Sequence, residues 1–222
     1  MDIIQLGGVF MEIKYLGHSS FLIKSTVGTL LLTDPYDENV GYPTYKGNAD
    51  IVTISHHHAD HDNIKEVQGS PQFLDKIGLY NLCNIPITGI HSYHDDSEGV
   101  KRGDNTIYTY EIDGYKLCHL GDLGHLLTED LIEAIGDIDI LFIPVGGNYT
   151  INGDEAFQVC KQLKSHLVIP MHYKTQNLNF PIDGVENFLS KMKNGEKINS
   201  NTFFITEKLS QTNAVKILNP TI

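Results

Sequence analysis

The chain has 222 residues, 41% of them hydrophobic and 9% aromatic, with a formal net charge of −12. That length suits one large domain with a substantial core, and the acidic balance argues against broad binding to nucleic acid or anionic membranes, leaving room for a locally positive site that attracts a small anionic substrate. No apolar run nears the roughly 18 residues of a membrane span, no secretory leader is evident, and the odd, widely spaced Cys83, Cys118 and Cys160 fit neither a disulfide framework nor a thiolate metal site; the cytoplasm is the simplest expected location.

Residues 1–10 precede a second methionine, so they are expected to be an N-terminal extension to a single domain over 11–222. Met11 to Leu16, Phe21 to Lys24 and Thr29 to Thr33 alternate as strands of a β-meander. The meander ends at Asp34-Pro35, where proline stops the ladder. A loop rich in Gly, Pro and Tyr (36–48) leads to a strand-like run, Ala49 to Ser55, and a short helix is expected over 62–67. Residues 71–94 read as short strands and turns. Thr106 to Ile112, Asp113-Gly114 and Tyr115 to Leu120 read as a hairpin, with Asp-Gly as its turn. Thr128 to Ile135 reads as a capped amphipathic helix. Further strands are expected over 138–145, 166–170, 203–205 and 214–218, and helices over 154–164 and 185–193. Strands first, then alternating strands and helices, indicate a mixed α/β domain.

The densest chemistry is His56-His57-His58-Ala59-Asp60-His61, placed where a strand gives way to a loop. Imidazole nitrogen and carboxylate oxygen are ligands for zinc and similar divalent ions. Four such side chains in six residues do not all reach one ion at good angles. The spacing suggests two ions, with His56 and His58 facing one and Asp60 and His61 the next. His94, Asp122 and His172 also fall at strand ends, where rigid strands can aim ligands at one sheet edge. Alternation points His57 away from the ligands, toward a structural or substrate-lining role. His91 competes with His94, but the tyrosine before His94 and the aspartate after it favour His94. His119 reads as a satisfied sheet histidine, His125 as a pocket-lining residue or the start of a helix, and His166 as a helix-end cap. Gly146-Gly147 reads as a turn rather than an anion-facing backbone, and Tyr173-Lys174 as a solvated surface pair rather than a proton donor to a leaving group. His18 and Asp34 either orient ligating groups or make ordinary turn hydrogen bonds.

Taken together these motifs resemble the metallo-β-lactamase fold superfamily, and within it the small bacterial and archaeal metal-dependent hydrolases of the ascorbate-6-phosphate lactonase-like group. The resemblance runs from about Glu12 to about Tyr173. Gly17-His18-Ser19-Ser20-Phe21 is similar to that group's opening segment and Thr33-Asp34-Pro35 to its early aspartate motif. The hexapeptide matches His-x-His-x-Asp-His. Tyr93-His94-Asp95, His119-Leu120-Gly121-Asp122 and Pro170-Met171-His172-Tyr173 match the later metal motifs, and residues 144–150 resemble a loop between the last two. The resemblance implies a four-layer αββα sandwich with the site on the shared edge of its sheets. It implies that His56, His58 and His94 bind one metal, that Asp60, His61 and His172 bind a second, and that Asp122 bridges both. Two zinc ions are expected, with manganese or iron as alternatives.

The function this implies is hydrolysis. A metal-bridging hydroxide would cleave a small ester, lactone or phosphodiester, with Asp60 and Asp122 as the catalytic carboxylates. Two divalent ions, less two carboxylates and a hydroxide, leave a site of net charge about +1, suited to an oxygen gaining negative charge. An iron-dependent sulfur dioxygenase and a non-catalytic metal-binding protein are the alternatives. His58 stands where flavodiiron-type relatives carry glutamate, and 222 residues leave no room for their flavin domain. Membrane partners are not expected, nucleic acid is disfavoured, and a homo-oligomer is an open option.

Overall fold

In the computed structural model, which describes residues 10–206 and 208–222, the opening meander is β1 (Met11–Gly17), β2 (Ser20–Lys24) and β3 (Leu30–Thr33). Of the expected N-terminal extension only Phe10 falls inside the described residues; residues 1–9 lie outside them. β3 pairs in parallel with β4 (Ile51–Thr53), and β4 with β5 (Gln72–Leu74). With β13 (Thr202–Ile205) antiparallel to β1, they form a six-stranded sheet in the order β13-β1-β2-β3-β4-β5.

The second sheet opens with β6 (Gly78–Leu82), β7 (Ile85–Tyr93), β8 (Asp104–Ile112) and β9 (Tyr115–His119), an antiparallel run. Parallel strands β10 (Ile140–Pro144), β11 (Leu167–Met171), β14 (Ala214–Leu218) and β12 (Gly195–Ile198) complete the order β12-β14-β11-β10-β9-β8-β7-β6. Three helices connect the parallel part: α1 (Glu129–Ile135), α2 (Gly153–Leu163) and α3 (Glu186–Met192). Thr128 caps α1 through Leu131 N–H, and Asn152 with Glu155 forms a capping box on α2.

The two-residue period of the strands sorts the core into layers. Ile13, Tyr15, Phe21, Ile23, Leu31 and Ile51 point between the sheets, where they meet Tyr108, Tyr110, Leu117, Phe142 and Ile169. The alternate residues of the second sheet, Cys118, Leu141, Ile143, Val168 and Val215, pack under the helices against Ala156, Val159, Cys160 and Phe188. Fully burying one such side chain is worth about 1.5–3 kcal/mol. On the first sheet the alternates Leu16, Leu32, Val52 and Ile54 are covered by Tyr36, Val40, Tyr42, Leu178 and Ile182, residues of a 3-10 turn (Glu38–Val40) and of loops. The expected αββα sandwich is therefore present, with loops supplying most of its outer layer on the first sheet.

Three details differ from the sequence reading. Residues 62–67 form turns and not a helix, with Ile64 N–H bonded to Asp62 O and Val67 N–H to Ile64 O. Residues 85–93 form one nine-residue strand, β7, rather than short pieces. β12 was not anticipated. Among the described residues no helix is long and apolar enough to cross a membrane.

Candidate metal centre

All nine residues singled out for the site lie just past the C-terminal ends of six strands. His18 follows β1, Asp34 follows β3, and the hexapeptide follows β4. His94 follows β7, Asp122 follows β9 and His172 follows β11. The pairing registers make β1, β3 and β4 mutually parallel in one sheet, and β7, β9 and β11 mutually parallel in the other. Both sheets therefore deliver their loops to a common edge. Three of these residues leave ordinary backbone space, His18 at φ 55°, Asp34 at φ 39° and His172 at φ 49°. Such strain is tolerated where the surrounding structure fixes it, and it gathers at functional sites. His172 N–H donates to His18 O at 2.8 Å and Tyr15 O–H to the same oxygen at 3.0 Å, which ties the two sheets together there.

The side chains fall into groups whose ligand atoms lie within 4.8 Å of one another: His56, His58 and His94; His18, Asp60, His61 and His172; and His56, His61 and Asp122. The imidazole rings of His56 and His58 are 4.6 Å apart, and those of His56 and His94 also 4.6 Å. Asp122 stands between the clusters. Its Oδ1 is 3.3 Å from His61 Nε2, and its Oδ2 is 3.3 Å from His94 Nε2 and 3.2 Å from His172 Nε2. His58 is exposed, while His56, His61, His94, Asp122 and His172 are buried.

Hydrogen bonds behind the cluster set which ring nitrogen is free. Ser55 O–H donates to Asp34 Oδ2 at 2.6 Å, so Ser55 Oγ accepts from His56 Nδ1–H at 2.9 Å. His61 Nδ1–H donates to Asp34 Oδ2 at 2.9 Å. His56 then presents a bare Nε2 to the site, and His61 does so once its Nε2 proton is given up to a cation. His56 Nε2, His61 Nε2 and Asp122 Oδ1 are all buried without a hydrogen-bond partner among the described residues, a condition that costs about 1–3 kcal/mol for each such atom. His18 sits within the second group, but its Nε2–H is engaged by Asp60 Oδ2 at 3.1 Å.

Charge distribution fits a cation. Burial, reinforced by His172, pushes His18 down to about 4. Burial also lowers His56 and His94, so these rings stay in the neutral form that a metal requires. Burial pushes His61 down as well, but Asp122 and Asp60 outweigh it and hold the ring well above its ordinary value. Burial pushes Asp122 up, and His172 and His61 outweigh that to keep it ionised. The buried Asp122 and the half-buried Asp60 thus draw positive charge to the cluster, as a proton on His61 or as a cation, while His18, His56 and His94 stay neutral. That donor set, with orphaned ring nitrogens facing inward, fits divalent metal ions.

The remaining histidines have other work. His57 is exposed and pairs with Asp62 at 3.4 Å and Asp75 at 3.5 Å, beside a cavity of about 670 Å³ that His56 and His58 also line. His91 lies within β7, away from the cluster, with Nε2 3.0 Å from Asp104. His119 is satisfied in the sheet by Ser19 O at 2.8 Å. His125 accepts from Tyr93 N–H at 3.3 Å and lies before α1 rather than beginning it. His166 pairs with Asp139 at 3.2 Å, in place of capping a helix. Tyr173 is buried under the second sheet, and Lys174 Nζ donates to Leu178 O and Phe180 O, so this is not a solvated pair. Gly147 N–H donates to Ile151 O within a turn.

Of three supporting residues, two escaped the sequence reading, and Asp95 entered it only as part of the motif around His94. One is Ser55. Another is Asn105, whose side chain accepts from Asp122 N–H at 2.9 Å and donates to Leu120 O at 2.9 Å. The third is Asp95, which organises the loop after His94. Gly121, at φ 56°, is required beside them: a Cβ there would lie 2.3 Å from Asn105 Oδ1 and 2.6 Å from Ser55 Cβ. Asn105 fell just before the expected strand, Thr106 to Ile112, so no sequence signal marked it.

Comparison with known proteins adds an independent line. The family model described as the beta-lactamase superfamily domain matches residues 12–172. The UPF0173 metal-dependent hydrolase of Methanosphaera stadtmanae is 34% identical, covering 74% of this chain and 85% of its own. A crystal structure of a Zn-dependent hydrolase candidate of the metallo-beta-lactamase superfamily from Thermotoga maritima superposes with a TM-score of 0.80 at 37% identity, over 93% of this chain and 98% of that one. Igni18, a metallo hydrolase from Ignicoccus hospitalis, shares the fold with a TM-score of 0.69 at 22% identity, over 96% of each chain.

Proposed function

This chain belongs to the beta-lactamase superfamily and is a metal-dependent hydrolase, and from that premise we propose that it is a two-metal enzyme for a small ester, lactone or phosphodiester. His56, His58 and His94 would hold one divalent ion, Asp60, His61 and His172 the other, and Asp122 would reach both. The observation that carries this reading is the position of Asp122, whose carboxylate lies 3.2–3.3 Å from ring nitrogens of His61, His94 and His172 and so touches members of both groups. Zinc suits the nitrogen-rich donor set best, and the Thermotoga maritima relative is named for zinc; manganese and iron are the alternatives. Two such ions, when bound, lower the pKa of a shared water and polarise the bond under attack.

The chain's own residues supply the rest. Asp34 and Ser55 orient His61 and His56, and His18 holds Asp60 through Oδ2 at 3.1 Å. Burial of the ligands dries the site and strengthens its electrostatics. The exposed His58 opens the first group toward the 670 Å³ cavity, which suits a small substrate.

The test is metal analysis joined to a panel of phosphodiesters, lactones, thioesters and β-lactams on zinc- and manganese-loaded protein. The expected result is about two ions per chain, hydrolysis of at least one class, and loss of more than about 100-fold of that activity in Asp122→Ala together with metal. Asp122→Ala retaining both ions and full turnover would overturn the bridging role. Oxygen uptake with a persulfide, with every ester untouched, would replace hydrolysis by dioxygenase chemistry.

A further inference from the structure

The cavity of about 670 Å³ that reaches His56 and His58 is also lined by two cationic side chains. Lys76 and Arg102 both line it, in a chain whose net charge is −12. Neither has a carboxylate partner within 4.0 Å among the described residues. The two carboxylates that share the cavity are already engaged: Asp75 faces His57 Nε2 at 3.5 Å, and Asp104 faces His91 Nε2 at 3.0 Å.

Arg102 is also held in place. Asp95, the residue after His94, is buried, and its carboxylate accepts four backbone N–H groups. Oδ1 takes Ser97 at 2.7 Å and Gly99 at 3.0 Å, and Oδ2 takes Lys101 and Arg102, each at 2.8 Å. His94 N–H donates to Gly103 O at 3.0 Å and closes the loop onto the ligand-bearing strand end. The Arg102 guanidinium then lies over the Tyr149 ring, 4.3 Å from its centroid. Tyr149 packs edge-on against Phe180, and Phe180 edge-on against His18. Arg102 thus stands at one end of a ring-lined rim that runs from the cavity to the second ligand group.

We propose that Arg102, fixed by the Asp95 loop and assisted by Lys76, is the specificity residue for an anionic group, carboxylate or phosphoryl, on the substrate. This rests on the hydrolase reading for the identity of the scissile bond, but not for the anion site itself. A half-buried arginine stacked on an aromatic ring loses little freedom on binding, and its planar fork matches two oxygens of a carboxylate or phosphate. With the cavity open at His58, an anion held by Arg102 leaves the remainder of a small molecule over the first ligand group.

The experiment is calorimetric titration of the protein as purified, and again after chelation, with inorganic phosphate and with succinate as probes. Wild type, Arg102→Ala, Arg102→Lys and Lys76→Ala are compared, with metal content and thermal midpoint measured on the same samples. The expected result is binding by the wild type in both metal states. Arg102→Ala weakens it about tenfold, the scale of one charge-assisted hydrogen bond, at unchanged thermal midpoint. Arg102→Lys, which keeps the charge but not the fork, falls between. A larger loss for phosphate assigns a phosphoryl group, and a larger loss for succinate a carboxylate. Equal affinities in wild type and Arg102→Ala, or no binding by the chelated wild type, overturns the assignment. Fewer than two ions per chain together with the tenfold loss would refute the two-metal reading and leave this site standing.

Discussion

Asp34 Oδ2 receives both the Ser55 hydroxyl, at 2.6 Å, and the His61 Nδ1–H, at 2.9 Å, while its Oδ1 receives Ser55 N–H at 2.8 Å. Through Ser55 Oγ the same carboxylate reaches His56, which belongs to the other ligand group. One buried acid therefore orders imidazoles on both sides of the site, and this only works while it is ionised and accepts on both oxygens. Burial pushes it up, but His61 outweighs burial and keeps the carboxyl below its ordinary value. In Asp34→Asn one acceptor becomes an N–H₂ donor. Turned toward His61, that donor moves the ring proton to Nε2 and removes the lone pair facing the site. The expected outcome is a loss of about 10–100-fold in metal affinity, the range for outer partners of ligating histidines. Ser55→Ala should weaken binding less, since only the His56 branch is lost. Chelator-competition titrations on the two variants check this; wild-type affinity in Asp34→Asn would sink the relay.

At the scale of elements, the loop between β7 and β8 is organised around one side chain, because four of its amides converge on Asp95. Burial pushes the Asp95 carboxyl up, and hydrogen bonds from Ser97, Arg102, Lys101 and Gly99 N–H outweigh it and hold it down to about 2. A carboxylate lower in the folded than in the unfolded chain stabilises above its unfolded value of about 3.9, and that contribution is lost as pH falls through the folded value. The amide resonances of these four residues should therefore shift together between about pH 4 and about pH 2. In Asp95→Ala they should already be displaced at neutral pH; amides unmoved by that substitution would mean the loop is held by something else. This loop also marks where sequence reading stops. Strands with alternating or continuous apolar residues, β1 to β4 and β8 to β11, were legible because each buries at least one face in a named layer. β12 was not, since Gly195-Glu196-Lys197-Ile198 is exposed apart from a half-buried Ile198 and is recruited through its backbone pairing with β14. Ile64 and Val67 have helical spacing, yet both pack in the layer over the first sheet from consecutive turns. Ligand types at strand ends were readable as local runs. Ser55, Asn105 and Arg102 were not, because their roles arise from contacts between segments 15 or more residues apart or from a loop that only closes in three dimensions.

For the whole molecule, the decisive fact is that each candidate ligand group draws on both sheets. His56 and His58 come from the loop after β4 in the first sheet and His94 from β7 in the second; Asp60 and His61 come from the first and His172 from the second. An ion in either group would therefore cross-link the two sheets at their shared edge, adding to hydrogen bonds such as His172 N–H to His18 O, Thr106 N–H to Ser55 O and His119 Nε2 to Ser19 O. Binding to the folded chain alone stabilises by about 4 kcal/mol at a thousandfold excess over Kd. A chain of this size gains roughly 2–4 °C for each kcal/mol. Chelation should then lower the thermal midpoint by on the order of 10 °C for one ion and more for two. The loss should be local in kind. The interior of β10 and β11, with every residue buried, keeps its slow amide exchange, while the loops after β4, β7 and β9 exchange faster. Thermal melts and hydrogen exchange, with and without chelator, measure both. If a verified loss of metal left the midpoint and the loop amides unchanged, the ions would be adornments of one sheet and not a joint between two.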